Sequence, residues 1–224
     1  CIVAPSIEAK RYGVKTGMRI KDGLALCPDL IIRLPDPQKY RDVHLRFKRI
    51  FSDYSDKVVP KSIDEAIIDF TAMAGTGIDL VKIGYEIKAR LREEISEWMS
   101  CNVGIGTNRF LAKTAASLHK PDGLDVITYK NIEKVYSQLK LIDLCGINVR
   151  YQARLNAARI LNPLQFLNAD MDYLKNYVFH SVHANYWYQR LRGYEIDDVD
   201  FDRKSFGQMY SIKGGAITNE ELEP

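Results

Sequence analysis

The chain has 224 residues, 46% hydrophobic and 27% charged, with enough apolar surface for one large or two small cores. Its net charge of +3 is too small to mark a partner by itself. No run of about 18 apolar residues is present to form a transmembrane helix, and no secretory signal pattern opens the sequence. The cysteines Cys1, Cys27, Cys101 and Cys145 form no CxxC pair, so no zinc site is indicated and reduced intracellular thiols are the expectation. The first residue is Cys1 rather than Met, and further sequence is expected upstream.

Residues 5–13 predict a helix with Ile7, Ala9 and Tyr12 on one face, stopped by Gly13. A second short helix is expected over 18–26, ended before Pro28. Ile31, Ile32 and Leu34 predict a strand closed by Pro35-Asp36-Pro37. Over 38–54, Tyr40, Val43, Phe47, Ile50, Phe51 and Tyr54 recur at helical spacing. Lys39, Arg41, Arg46, Lys48 and Arg49 fall mostly off that stripe, as a solvated face does.

Val58 and Val59 predict a strand, Pro60-Lys61-Ser62 an interruption, and Ala66-Ile67-Ile68-Asp69-Phe70 a buried strand. Gly75 and Gly77 mark a loop, and Asp79 can cap a helix bearing Leu80, Ile83, Ile87, Leu91, Ile95 and Trp98. Residues 102–106 read as a strand whose glycines let its backbone approach something closely. Thr107 or Asn108 can cap a helix carrying Phe110, Leu111, Thr114, Ala115 and Leu118. Lys120-Pro121-Asp122-Gly123 is a turn, followed by a strand over 124–127. This alternation is that of an α/β or α+β core. After about residue 140 strands vanish, and helical patterns over 149–160, 171–180 and 182–192 indicate a separate small helical domain. Residues 195–204, with Asp197, Asp198, Asp200 and Asp202, read as a linker, and 205–213 as the beginning of a further strand.

Asp64 and Glu65 are adjacent carboxylates, a common surface feature. In a regular strand they would diverge, but at a tight turn they can converge. Converged carboxylates repel unless a cation neutralises them, and magnesium takes oxygen ligands of this kind together with substrate phosphates. Lys120, before a fixed turn, can present an ammonium to a phosphate.

The combination is more specific than its parts. Ser62-Ile63-Asp64-Glu65-Ala66, with Asp69 following, resembles the SIDEAxxD motif of Y-family DNA polymerases. Val103-Gly104-Ile105-Gly106-Thr107-Asn108-Arg109-Phe110-Leu111-Ala112-Lys113 resembles that family's Gly-Ile-Ser-x-Asn-Lys-x-Leu-Ala-Lys segment, and Lys120-Pro121-Asp122-Gly123 its Lys-Pro-Asn/Asp-Gly turn. Glu8-Ala9-Lys10-Arg11-Tyr12-Gly13-Val14, Gly17-Met18 and Leu26-Cys27-Pro28 look like its fingers segment. The resemblance covers nearly all of the chain and is closest to the DNA polymerase IV branch.

This resemblance implies an α+β fold: fingers over 1–35, a ferredoxin-like palm over 36–140, a small all-α thumb over 141–193, a linker over 194–204, and the start of a little-finger domain over 205–224. It makes Asp64 and Glu65 catalytic metal ligands and Lys120 a triphosphate contact. Lys10 stands where an Arg usually contacts the triphosphate, so charge is kept but the bidentate fork is lost. Ile7 stands where a Tyr usually contacts the nucleotide. Leu144-Cys145-Gly146-Ile147-Asn148 replaces a helix-hairpin-helix loop of Pro-Gly-Ile-Gly type. There Gly146 and Ile147 would offer N–H groups to a DNA phosphate, and Asn148 would tolerate a positive φ.

The implied activity is template-directed transfer of a nucleotide from dNTP to a primer 3′ end, with two Mg²⁺ ions, in damage tolerance. The implied partners are primer-template DNA, dNTP and a sliding clamp bound through a more C-terminal segment, with no membrane. The implied location is the cytoplasm of a bacterial-type cell, at the nucleoid. The family's first metal-binding Asp and its sugar-selecting aromatic precede the matched segment, so this sequence alone is expected to be inactive. A non-catalytic DNA-binding or scaffold homologue is the alternative. A nucleotide cyclase on a similar palm would leave the helices after residue 140 unexplained.

Overall fold

The computed structural model describes residues 1–197 and residue 207. They form two compact units, Cys1–Gly77 with Glu93–Glu97, and Ile78–Arg92 with the described part of Trp98–Pro224.

In the first unit, α1 (Ile7–Arg11) begins where the Ser6 hydroxyl accepts the Ala9 N–H at 3.2 Å. It is shorter than expected, and of the expected apolar face only Ala9 is buried; Ile7 is 47% exposed. Then α2 (Ile20–Leu26) ends before Pro28, as expected. No strand forms over 31–34, where Ile31, Ile32 and Leu34 are exposed. Branched apolar residues favour a strand only where a neighbouring strand and a surface receive them. Pro35-Asp36-Pro37 opens a helix instead of closing a strand. The Asp36 carboxylate accepts the Lys39 N–H at 3.2 Å and caps α3 (Pro37–Ser52), with Pro37 in its first turn. The expected stripe is present: Ile50 is buried, Val43, Phe47 and Phe51 are half-buried, and only Tyr40 stays exposed at its start.

The hairpin of β1 (Val58–Pro60) and β2 (Ala66–Ile68) is antiparallel, pairing Val58 with Ile68, Val59 with Ile67 and Pro60 with Ala66. The second strand is shorter than its apolar run and half-buried rather than buried. Gly75 and Gly77 both have positive φ, fitting the expected loop.

In the second unit, Asp79 caps α4 (Leu80–Glu94), accepting the Val81 and Lys82 N–H groups at 3.0 and 3.1 Å. This helix stops before Trp98, which is 87% exposed rather than part of the stripe. Next, β3 (Val103–Gly106), α5 (Arg109–Ala115) and β4 (Leu124–Ile127) make a βαβ unit with parallel strands. The close approach foreseen for the strand glycines is to α5. A β-carbon on Gly104 would lie 1.9 Å from the Ala112 carbonyl oxygen, and one on Gly106 2.5 Å from the Ala112 nitrogen.

The cap of α5 is Asn108, whose Oδ1 accepts the Leu111 N–H at 2.8 Å. Its Nδ2 donates to the carbonyls of Arg190 and Tyr194, both at 2.9 Å. A helix absent from the sequence reading, α6 (Ile132–Gln138), follows. Then come α7 (Val149–Ala157), α8 (Pro163–Asn168), α9 (Met171–Tyr173) running into π-helical turns over Leu174–Phe179, and α10 (His183–Leu191). Only α8 among these four was not foreseen.

One apolar core runs from Phe110 to Leu191, so the boundary expected near residue 140 crosses continuous packing. Trp187 sits within it, edge-on to Phe110 at 5.8 Å and against Phe166 at 5.6 Å between ring centroids. The first residues of the expected linker are held: Glu195 accepts the Arg109 N–H at 2.9 Å, and Arg190 pairs with Asp197. The rest of that linker and the strand expected over 205–213 lie outside the described residues, apart from Gly207. The mixture of helix and strand expected is present, with the described strands in two two-stranded sheets.

Candidate active site

Pro60 has no N–H to extend the ladder, and the chain turns there. The Lys61 and Ser62 N–H groups both donate to the Glu65 carbonyl, at 2.8 and 3.2 Å, which closes residues 62–64 into the tight turn foreseen. Asp64 and Glu65 are therefore at the tip and far shoulder of a hairpin, both exposed, where strict alternation of side chains no longer holds. The Ser62 hydroxyl donates to Asp64 Oδ1 at 2.6 Å, fixing that carboxylate. His44 on α3 donates from Nδ1 to the Ile63 carbonyl at 3.0 Å and so holds the same turn. Its spacing from the carboxylates gave no sign of this role. Asp69 is below the turn, where its Oδ1 accepts the Thr71 N–H at 2.8 Å.

Two exposed carboxylates offer the hard oxygen donors that Mg²⁺ prefers. They fit the ion in chemistry but supply only part of a ligand set. Among the described residues no group of three or more His, Cys, Asp and Glu is placed to hold a metal.

Lys10 lies in the last turn of α1, exposed, in the same unit as the carboxylate turn. Lys120 is exposed in the second unit, at the start of the turn foreseen there. Over residues 144–148 the left-handed residue is Gly146, with φ of +85°. Asn148 has φ of −100° rather than the positive value expected, because its side chain caps α7, accepting the Arg150 and Tyr151 N–H groups at 3.0 Å. Ile147 is buried in the core, and its N–H donates to the Leu144 carbonyl at 3.0 Å.

The turn bearing Lys120 rests on a charged cluster that the sequence reading missed. Lys88 is buried on α4, and its Nζ donates to the carbonyls of Cys101 and Gly123, each at 3.3 Å, and to that of Asp122. The ammonium also lies 3.1 Å from Asp122 Oδ1 as an ion pair, while Arg92, one turn further along α4, pairs with the other carboxylate oxygen. The signal available was a lysine inside an apolar stripe, between Ile87 and Leu91.

Burial pushes the Asp122 carboxyl upward, but Lys88 and then Arg92 outweigh it and hold the group below its ordinary range. A depressed folded pKa means that the stabilisation is complete above the unfolded value of about 3.9 and is lost as pH falls through the folded value. Asp122→Asn is therefore expected to destabilise the chain at about pH 7, and in urea melts the gap from the parent should narrow as pH falls below the unfolded value. A penalty that stayed constant from neutral pH into acid would contradict this account.

The described residues thus offer two exposed carboxylates on a hairpin turn of the first unit and the exposed lysines Lys10 and Lys120. The sequence model of the impB/mucB/samB family matches residues 1–117, and the chain belongs to that family, the Y-family. The protein named DNA polymerase IV of Pelotomaculum thermopropionicum is 37% identical over 162 residues, covering 71% of this chain and 39% of that protein. DNA polymerase IV of Akkermansia muciniphila is 34% identical over 227 residues, covering 99% of this chain and 61% of its own. Among solved structures, DinB from Sulfolobus solfataricus matches with a TM-score of 0.70 and 26% identity, over 83% of this chain and 54% of that one. A Dbh ternary complex matches with a TM-score of 0.74 and 26% identity, over 85% and 56%. The chain thus spans less than two thirds of each of these relatives.

Proposed function

We propose that the chain is part of a translesion-type, template-directed DNA polymerase that adds a nucleotide from dNTP to a primer 3′ end. The observation that carries this reading is the Asp64-Glu65 pair at a closed hairpin turn in a chain of the Y-family. The names of its relatives support it, as does the likeness to a polymerase ternary complex. In this reading 1–35 are fingers, 36–140 palm and 141–193 thumb.

Asp64 and Glu65 would hold Mg²⁺, which when bound activates the primer 3′ oxygen and stabilises charge on the leaving pyrophosphate. The Ser62 hydroxyl, bonded to Asp64 Oδ1, would steady that carboxylate for this task. Lys10 and Lys120 each supply one ammonium to the triphosphate. Gly146 allows the left-handed bend before α7, where the backbone would meet a DNA phosphate. The Ile147 N–H is committed to Leu144, so Ile147 would help by shaping this bend. Primer-template DNA and dNTP are the proposed partners, with a clamp and a cytoplasmic, nucleoid location as the wider setting.

The test is primer extension with the longest natural chain that carries this sequence. Extension dictated by the template and dependent on Mg²⁺ is the expected result; its absence would favour the scaffold reading, which the exposed Ile7 in place of a tyrosine motivates. DNA affinity is expected to fall with salt, by roughly 0.9 in log K per log unit for each duplex phosphate neutralised. A slope near zero would contradict DNA binding.

A further inference from the structure

We propose that Lys88 is a positioning residue for Lys120: it fixes the turn from which that lysine reaches the triphosphate. The inference rests on the triphosphate role given to Lys120 above. Lys88 lies where α4 needs an apolar residue, and its side chain is 7% exposed. Burying an ammonium costs free energy that a leucine or methionine at that place would not incur.

What the ammonium supplies is directional. Its donors reach the carbonyls of Cys101, Asp122 and Gly123, which joins the approach to β3 to the two residues that close the Lys120 turn. The same turn is gripped elsewhere. Asp122 has φ of +60°, in the left-handed region that few side chains adopt, and its carboxylate is held by Lys88 and Arg92. The Gly123 N–H donates to Asn102 Oδ1 at 3.1 Å, and a β-carbon on Gly123 would lie 2.1 Å from the His119 carbonyl oxygen. Residues on both sides of Lys120 are thereby fixed while Lys120 itself stays exposed. The cluster is a mount: its charges face the backbone of the turn, and the residue it carries faces outward.

A contact of this kind is made equally in ground and transition states, so loosening it raises KM for dNTP and spares kcat. In the longest natural chain carrying this sequence, Lys88→Met keeps the stem and removes the donors. It is expected to raise the dNTP KM roughly tenfold with kcat within about twofold, while Lys88→Arg recovers most of the loss. Adding Lys88→Met to Lys120→Ala is expected to change KM no further. A folded Lys88→Met protein with the parent KM, or an effect that multiplies with that of Lys120→Ala, would overturn the proposal.

Should Lys88→Met fail to fold, Arg92→Met loosens the same carboxylate from a half-exposed position and is expected to raise KM about threefold. An unchanged KM there overturns the proposal as well. Failure of the parent reading looks different. If Lys120→Ala alone leaves KM unchanged, the triphosphate role of Lys120 falls first and the proposal falls with it.

Discussion

Asp64→Asn, in the longest natural chain carrying this sequence, is expected to lower primer extension about a hundredfold or more and to leave the folded state intact. The two effects separate because of where the residue lies. Its side chain is exposed at the tip of a hairpin, and its one named partner is the Ser62 hydroxyl. Asparagine keeps an oxygen to accept that hydroxyl, so stability should change by no more than about 0.5 kcal/mol. What is lost is the negative charge proposed to hold the cation. Glu65→Gln should behave alike, and the double variant should be little worse than either single one, since both are proposed to act on one ion site. The turn itself is closed by backbone bonds from Lys61 and Ser62 to Glu65, which neither substitution touches. Near-normal extension by either variant would end the metal-ligand assignment.

Gly104→Ala is expected to have the largest effect on stability, a loss of about 3 kcal/mol or more. The added carbon would stand 1.9 Å from the Ala112 carbonyl oxygen and 2.4 Å from the Ala116 nitrogen. Both are backbone atoms of the α5 region, so no side-chain rotation relieves the clash. Either the helix lifts off the strand or the strand bends. For a chain of this size such a loss lowers the melting temperature by roughly 6–12 °C. Gly75→Ala makes a useful contrast, because Gly75 has φ of +84° but nothing within 4 Å of the new carbon. It should cost only about 1 kcal/mol, from the dihedral alone. Equal penalties at the two positions would mean that α5 is not seated on β3 as described.

The long helices were legible because α3 and α4 each place several apolar residues on one face, and the period survives local noise. The carboxylate hairpin was legible for another reason: Pro60 can only end a ladder. What failed was what neighbours decide. Ile31, Ile32 and Leu34 have strand-forming side chains, yet no strand among the described residues pairs with them. The short helices α6 and α8 offer too few residues for a period to register. Asp36 looked like part of a break because a proline on either side hid its role as a cap. Asn148 can either turn left-handed or cap a helix, and the glycine two residues earlier took the first role. At the candidate site, motif order is what singled out Asp64, Glu65, Lys10 and Lys120 as candidates. Their supports, His44 and Lys88, act on carbonyl groups far away in sequence, which no spacing rule reveals.

Asn108 adds a matter of timing. Its side chain caps α5 through a local bond, but its amide waits for the carbonyls of Arg190 and Tyr194, 82 and 86 residues later. During synthesis at about 5–20 residues per second, that gap corresponds to roughly 4–17 s in which the new helix lacks its far partners. The apolar side of α5, with Phe110 and Leu111, is meanwhile without Trp187 and Leu191. Completion of this unit is therefore a late event on the ribosome, set by the emergence of α10 rather than by the βαβ segment that precedes it.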